Sequence, residues 1–183
     1  MADEDISGST EVDADPAAVW ALVSDLPRMG ELSPENTGGS WVGGATGPAV
    51  GARFHGSNRR GWRRWSTSVR VIECEPARRF AFEVRSLRMP VATWSYDVAP
   101  RPGGCTVTET WHDQRGSVMM TLGRLATGVA DRAEHTASGI SQTLAAVKAR
   151  AEKRAEPPTS PTSPTSPTSP TSPTSPTSPK RQP

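Results

Sequence analysis

The stretch ATWSYDVAPRPGGCTVTETWHD, residues 92–113, reads as two strands joined by a short proline- and glycine-bearing connection, Ala99–Gly104. In Ala92–Val98 the residues Trp94, Tyr96 and Val98 fall on one parity, and Thr93, Ser95 and Asp97 on the other. In Cys105–Asp113 the residues Cys105, Val107, Glu109 and Trp111 alternate with Thr106, Thr108, Thr110 and His112. A period of two with one apolar and one polar parity marks a sheet with one buried and one wet face. A connection this short makes the two strands antiparallel neighbours.

Working toward the N-terminus, the same period recurs. Gly39–Val42, Ala52–Arg59, Trp65–Cys74 and Phe80–Arg85 read as strands. The connections Gly43–Gly51, Arg60–Arg64, Glu75–Arg79 and Ser86–Val91 carry glycine, proline or charge. Phe54, Gly56 and Asn58 share one face, as do Trp65, Thr67, Val69 and Val71, and Phe80, Phe82 and Val84. Ahead of this meander, Ile6–Val12 alternates as a strand. Asp15 then caps a short amphipathic helix, Pro16–Ser24, with proline at its first position. Leu26–Glu35 holds two prolines and a glycine and is expected to add one irregular helical turn.

Working toward the C-terminus, the period changes to three or four. Leu122, Ala126, Val129, Ala133, Ala137, Ile140, Leu144, Val147 and Ala151 form one stripe through Val118–Arg154. At 1.5 Å per residue that segment would be ~55 Å long, more than one domain can cover, so a break near Gly123–Gly128 is expected. The main helix then runs from about Val129 to Arg154. Strand, short helices, six-strand meander and long helix make an α+β domain whose curved sheet grips the last helix.

Two residues break the inward pattern. Glu109 lies between Val107 and Trp111, and Asn58 follows Phe54 and Gly56. A buried carboxylate or amide needs a partner, which is a structural hydrogen bond, water at an open mouth, or a polar group of a ligand. The inward aromatic residues Trp65, Phe82, Trp94, Tyr96 and Trp111 are read equally as core or as the lining of a cavity. Ala126, Ala133 and Ala137 leave room where leucines would close it, and Ala137, in mid-stripe, is expected to face the space. The candidate ligand-binding set is therefore Phe54, Asn58, Trp65, Phe82, Trp94, Tyr96, Glu109, Trp111, Ala133 and Ala137.

Several classes of function find no support. The net charge of +2 is too small to imply a polyanion, and nucleic acid is not expected as a partner. Arg59–Trp65 mixes arginines with indoles, but its place between two strands makes it a solvated hairpin tip, with transient membrane contact as the lesser reading. His55, His112 and His135 lack metal-ligand spacing and read as surface residues, so no metal and no cofactor is expected. Neither a nucleophile elbow nor a phosphate loop occurs. Cys74 and Cys105, the acidic N-terminus and the lack of a long apolar run suit a reduced, cytoplasmic, soluble protein.

Taken in order, GSTEVDADPAAVWALVSDL (8–26), LSPE (32–35), VGARFHGSNRRGWRRW (50–65), ECEPARRFAFEV (73–84), TWSYDVAP (93–100), GCTVTETW (104–111) and GISQTLAAVKARAE (139–152) carry a family pattern. The chain resembles the polyketide cyclase/dehydrase and lipid-transport family of the START-like SRPBCC superfamily, across nearly all of residues 6–152. The resemblance implies a seven-stranded antiparallel helix-grip sheet around a hydrophobic cavity, with short helices between the first and second strands. It supplies no catalytic motif to carry over, because its members include aromatase/cyclases and lipid carriers. The leading expectation is binding or transport of a small hydrophobic or aromatic ligand, lipid or polyketide-like. The alternative is a cyclase, aromatase or dehydratase with Glu109 as acid or base, Asn58 orienting a carbonyl and Tyr96 donating a hydrogen bond. A third expectation is an interaction module working through its surface and tail.

That tail, residues 156–183, contains seven Pro-Thr-Ser triplets from Pro158 to Ser178. Proline at every third position denies helix and sheet their donors, and no apolar residue is available to bury. The folded unit is accordingly assigned to residues 1–155 and the tail is read as disordered. Truncation after Glu156 is expected to leave the thermal midpoint within about 2 °C of the full chain. A larger drop in a calorimetric scan would show the tail docking on the domain.

Overall fold

The computed structural model describes residues 5–129 and 131–155. The Pro-Thr-Ser tail and the side chain of Ala126, both singled out above, lie outside the described residues. Seven strands form one antiparallel sheet in the order β1-β7-β6-β5-β4-β3-β2. They are β1 (Asp5–Val12), β2 (Asn36–Val42), β3 (Arg53–Arg60), β4 (Arg63–Glu75), β5 (Arg79–Ser86), β6 (Met89–Arg101) and β7 (Gly104–Asp113). Between β1 and β2 lie α1 (Pro16–Ser24) and a 3-10 turn, Leu26–Glu31. After β7 come α2 (Ser117–Thr127) and α3 (Arg132–Ala155). The helix-grip architecture expected from the sequence is the one found.

Local chemistry explains the ends. The Asp15 side chain accepts a hydrogen bond from the Ala17 amide at 2.7 Å and so caps α1, with Pro16 in the first turn. Gly61, at φ +59°, turns the two-residue tip between β3 and β4, leaving Trp62 exposed with the Arg63 guanidinium 4.7 Å from its ring centroid. The helical break falls after Thr127, at the end of the interval expected. Gly128 adopts φ +69°, and Asp131 caps α3 by accepting from the Glu134 amide at 3.0 Å. Several strands run longer than the sequence signal, because hydrogen-bonded pairing continues through residues that bury nothing, such as Arg60 opposite Arg63.

Curvature comes from bulges. Val71 pairs with Phe82 but Glu73 with Ala81, so Ile72 is the extra residue in β4. The inward parity shifts there. Glu73 turns outward and accepts from Arg79 at 2.5 Å, while Arg79 also bonds Asp97 at 2.6 Å. Further register shifts sit in β2 and between β5 and β6.

The core occupies one end of the fold. Val12, Val19, Val23, Phe80, Val98, Cys105, Val107 and Val147 are buried there, with Trp20 edge-on to Phe80. From Ile140 onward α3 packs down on β1, burying Ile140, Leu144, Val147 and Ala151. Gly8 makes that approach possible: a Cβ on it would lie 2.9 Å from Ile140 Cγ2 and 3.3 Å from Leu144 Cδ1.

The N-terminal half of α3 corrects the sequence reading. Its buried residues are Thr136, Ile140 and Thr143, whereas Ala137 is exposed and Ala133 half-buried. The break near Gly123–Gly128 is where the sequence reading puts it, but within α3 the first members of the apolar stripe, Ala133 and Ala137, lie off the buried face. Around the helix Thr136 lies about 40° to one side of Ile140 and Ala137 about 60° to the other, and the fold covers the side that carries Thr136 and Thr143. Threonine carried no hydrophobic signal to reveal it.

Gly8→Val is expected to lower stability by about 1–3 kcal/mol, because a branched side chain must displace Ile140 and Leu144 from a packed contact. Chemical denaturation of the two proteins measures this. An unchanged midpoint would show that α3 does not rest on β1 at Gly8.

Candidate ligand cavity

Where the C-terminal half of α3 closes the sheet, the N-terminal half leaves a space. A cavity of about 240 Å3 lies between the concave face of β3–β7, the 3-10 turn, α2 and α3. Its walls follow from strand parity. Trp94 sits directly opposite Trp111, and Tyr96 directly opposite Glu109, on the paired strands β6 and β7. Phe54, Trp65, Val69, Phe82 and Val84 extend the apolar wall across β3, β4 and β5. Leu26 and Met29 contribute from the 3-10 turn, and Met119 and Leu122 from α2.

Polar groups are few and specific. The Tyr96 hydroxyl donates to Glu109 Oε1 at 2.8 Å, and both residues are buried. Glu109 Oε2 is buried without a partner among the described residues, and so is Thr136 Oγ1. Burial pushes the Glu109 carboxyl up to about 8, with the Tyr96 hydrogen bond pulling the other way. The Tyr96 phenol is raised well above its ordinary value by burial and then by the neighbouring carboxylate. At neutral pH the pair is therefore largely uncharged, which is how a carboxyl persists among tryptophans.

Two ion-paired groups stand on the wall. Glu35 accepts from Arg132 at 3.1 Å and pairs with His135 at 2.8 Å, tying the β2 approach to the start of α3. Arg115 binds Asp113 through two bonds of 2.7 and 2.8 Å and places its guanidinium 5.5 Å from the Trp111 ring centroid. Burial acts to raise Asp113, but the Arg115 hydrogen bonds outweigh it and hold the carboxyl below its ordinary range. No group of three or more possible metal ligands occurs among the described residues.

A family model described as polyketide cyclase/dehydrase and lipid transport matches residues 3–152. The chain belongs to this family. A polyketide cyclase-like protein of Corynebacterium glutamicum, solved by NMR, is 30% identical over 83% of this chain and 93% of its own, with a TM-score of 0.57. Two further structures share the fold at low identity. The ZhuI aromatase/cyclase of Streptomyces sp. R1128 is 14% identical, covering 84% of this chain and 96% of that one, with a TM-score of 0.62. The di-domain aromatase/cyclase StfQ of steffimycin biosynthesis is 14% identical, covering 82% of this chain and 51% of that one, with a TM-score of 0.64. No curated protein matches the chain.

Within this family member, eight of the ten sequence-predicted residues meet on the cavity wall: Phe54, Asn58, Trp65, Phe82, Trp94, Tyr96, Glu109 and Trp111. Ala133 and Ala137 are not on it. Asn58 does not pair with Glu109; its Nδ2 donates to Thr67 Oγ1 at 3.3 Å. Tyr96 spends its proton on Glu109 rather than presenting it to the cavity. His135, expected on the surface, lines the cavity instead, where it pairs with Glu35 at the start of α3. Glu35, Arg115 and Thr136 carried no spacing signal, and only tertiary structure gathers them.

The raised Glu109 carboxyl fixes a pH dependence. A native group that binds its proton more tightly than the unfolded chain stabilises the fold fully below its ordinary value of 4.5 and loses that contribution as pH rises through about 8. The full interval corresponds to roughly 5 kcal/mol. The thermal midpoint is expected to fall between pH 5 and pH 8, and Glu109→Gln should fall distinctly less. Parallel melting curves for the two proteins across that range would place the Glu109 carboxyl in water.

Proposed function

We propose that the domain binds, and carries in solution, one small hydrophobic or aromatic molecule, lipid or polyketide-like, inside the cavity beneath α3. The observation that carries this reading is an aromatic-walled space of about 240 Å3 with a few fixed polar groups, the usual composition of a small-molecule site. No helix among the described residues is long and apolar enough to cross a membrane. Leu87 and Leu122, exposed at the cavity rim, suit transient contact with a lipid surface during exchange. The free cysteines Cys74 and Cys105 suit a reducing, cytoplasmic setting. The folded unit is taken as residues 1–155, with the tail as an appendage the cavity does not need.

A second reading is favoured by one observation, the protonated Glu109 at neutral pH. A carboxylic acid in an apolar site can protonate a departing hydroxyl, which leaves as water with the C–O electron pair, and then take a proton from the adjacent carbon. That is dehydration within a cyclase or aromatase. Tyr96 would orient the carboxyl, and Asn58 would lie within the same cavity to hold a carbonyl. Glu109→Gln separates the readings: it preserves shape but cannot exchange the proton, so turnover vanishes with affinity kept if the site is catalytic.

Gly139 supplies the test of the cavity. It lines the space, and a Cβ built on it meets nothing within 4 Å. Gly139→Phe is expected to fill the cavity and abolish uptake of a fluorescent naphthol probe while the protein stays folded. Ala137→Trp, on the exposed face, should leave uptake unchanged. Native mass spectrometry should show a co-purified small molecule in the wild type and none in Gly139→Phe. Equal uptake by all three proteins would exclude the cavity as the binding site.

A further inference from the structure

Two buried oxygens on the cavity wall lack hydrogen-bond partners among the described residues, and they come from opposite sides of the fold. Glu109 Oε2 belongs to the sheet, on β7, and Thr136 Oγ1 to the helix, on α3. Glu109 is 2% exposed and Thr136 3%. Both residues line the cavity. A helical threonine commonly satisfies its hydroxyl on the carbonyl one turn behind, and Thr136 does not. Leaving either group unpaired in an apolar setting is costly, so each marks a place where a bound molecule is expected to supply the partner.

Resting on the binding function proposed above, we infer that the cavity selects an uncharged, ring-sized molecule with two oxygen groups, a carbonyl facing Glu109 Oε2 and a hydroxyl or second carbonyl facing Thr136 Oγ1. The sheet-side assignment follows from Tyr96. Its hydroxyl occupies Glu109 Oε1 as acceptor, so the carboxyl proton resides on Oε2 and is donated into the cavity. A ligand carbonyl accepts that proton's hydrogen bond. The Thr136 hydroxyl both donates and accepts, and so takes either kind of oxygen.

The charge of the ligand follows from the arginines. Arg115 and Arg132 line the cavity, and each is already bonded to a carboxylate, Asp113 and Glu35 respectively. Each positive charge is thus already offset by a carboxylate, so these arginines give a ligand anion no uncompensated cation. A neutral molecule needs none.

The test uses the full chain and three probes of similar size: naphthalene, 1-tetralone and 5-hydroxy-1-tetralone. Dissociation constants are measured by calorimetry at pH 6, where Glu109 keeps its proton. Each added oxygen that finds its partner is expected to tighten binding about tenfold. Glu109→Leu should erase the first step, from naphthalene to tetralone. Thr136→Val should erase only the second, and its thermal midpoint should equal or exceed that of the wild type, because it replaces an unpaired hydroxyl by a methyl of the same shape. A lowered midpoint in Thr136→Val would assign the hydroxyl a structural role and overturn its part in the inference. Equal affinity for all three probes overturns the whole inference while leaving an apolar binding cavity in place. Failure of every probe to bind, naphthalene included, overturns both.

Discussion

The pairing of β6 with β7 sets everything that matters for the site. From Ala92 opposite Asp113 to Arg101 opposite Gly104 the two strands stay in one register, without a bulge. A slip of one residue would send one strand's inward set, Trp94 and Tyr96 or Glu109 and Trp111, to the solvent face and part it from its partners. In the register found, two tryptophans face each other on the concave side, and one step along the strands a phenol faces a carboxyl. Burial keeps Glu109 protonated against the opposing pull of their 2.8 Å hydrogen bond, which fixes the carboxyl in place. The cavity is thus built around an acid that its own walls hold neutral.

The long helix divides its labour along its length. Its C-terminal half is buried by apolar residues against β1, where Gly8 removes the last atom that would keep the two apart. Its N-terminal half presents Arg132, His135, Thr136, Gly139 and Thr143, residues too small or too polar to fill the concave sheet. Stability and binding are therefore placed at opposite ends of one element. The Glu35 bonds to Arg132 and His135 fix the open end against the β2 approach, so the cavity keeps its shape without being filled.

Much of this was legible in the sequence. The period of two in the stretch 92–113 marks Trp94, Tyr96, Glu109 and Trp111 as inward, and the same period in the earlier strands marks Phe54, Asn58, Trp65 and Phe82. Strand parity is a local property that one bulge at Ile72 disturbs only beyond Val71. The helix was harder. A stripe drawn through Ala133 and Ala137 follows the apolar letters, whereas the buried arc at the start of α3 runs through Thr136, Ile140 and Thr143. Buried threonines carry no apolar signal, and a glycine that opens space has the same letter as one that turns a loop. Arg115 and Glu35 reach the cavity only through tertiary placement, which no periodicity encodes.

The central claim is that Glu109 is a buried, neutral acid bonded to Tyr96 at the wall of the cavity. Its most direct test is the titration of the Glu109 side-chain carboxyl, followed by carbon-detected NMR on labelled protein with Glu109→Gln to assign the resonance. The account predicts a midpoint near 8. A midpoint near 4.5, the ordinary carboxyl value, would put the side chain in water and contradict the account.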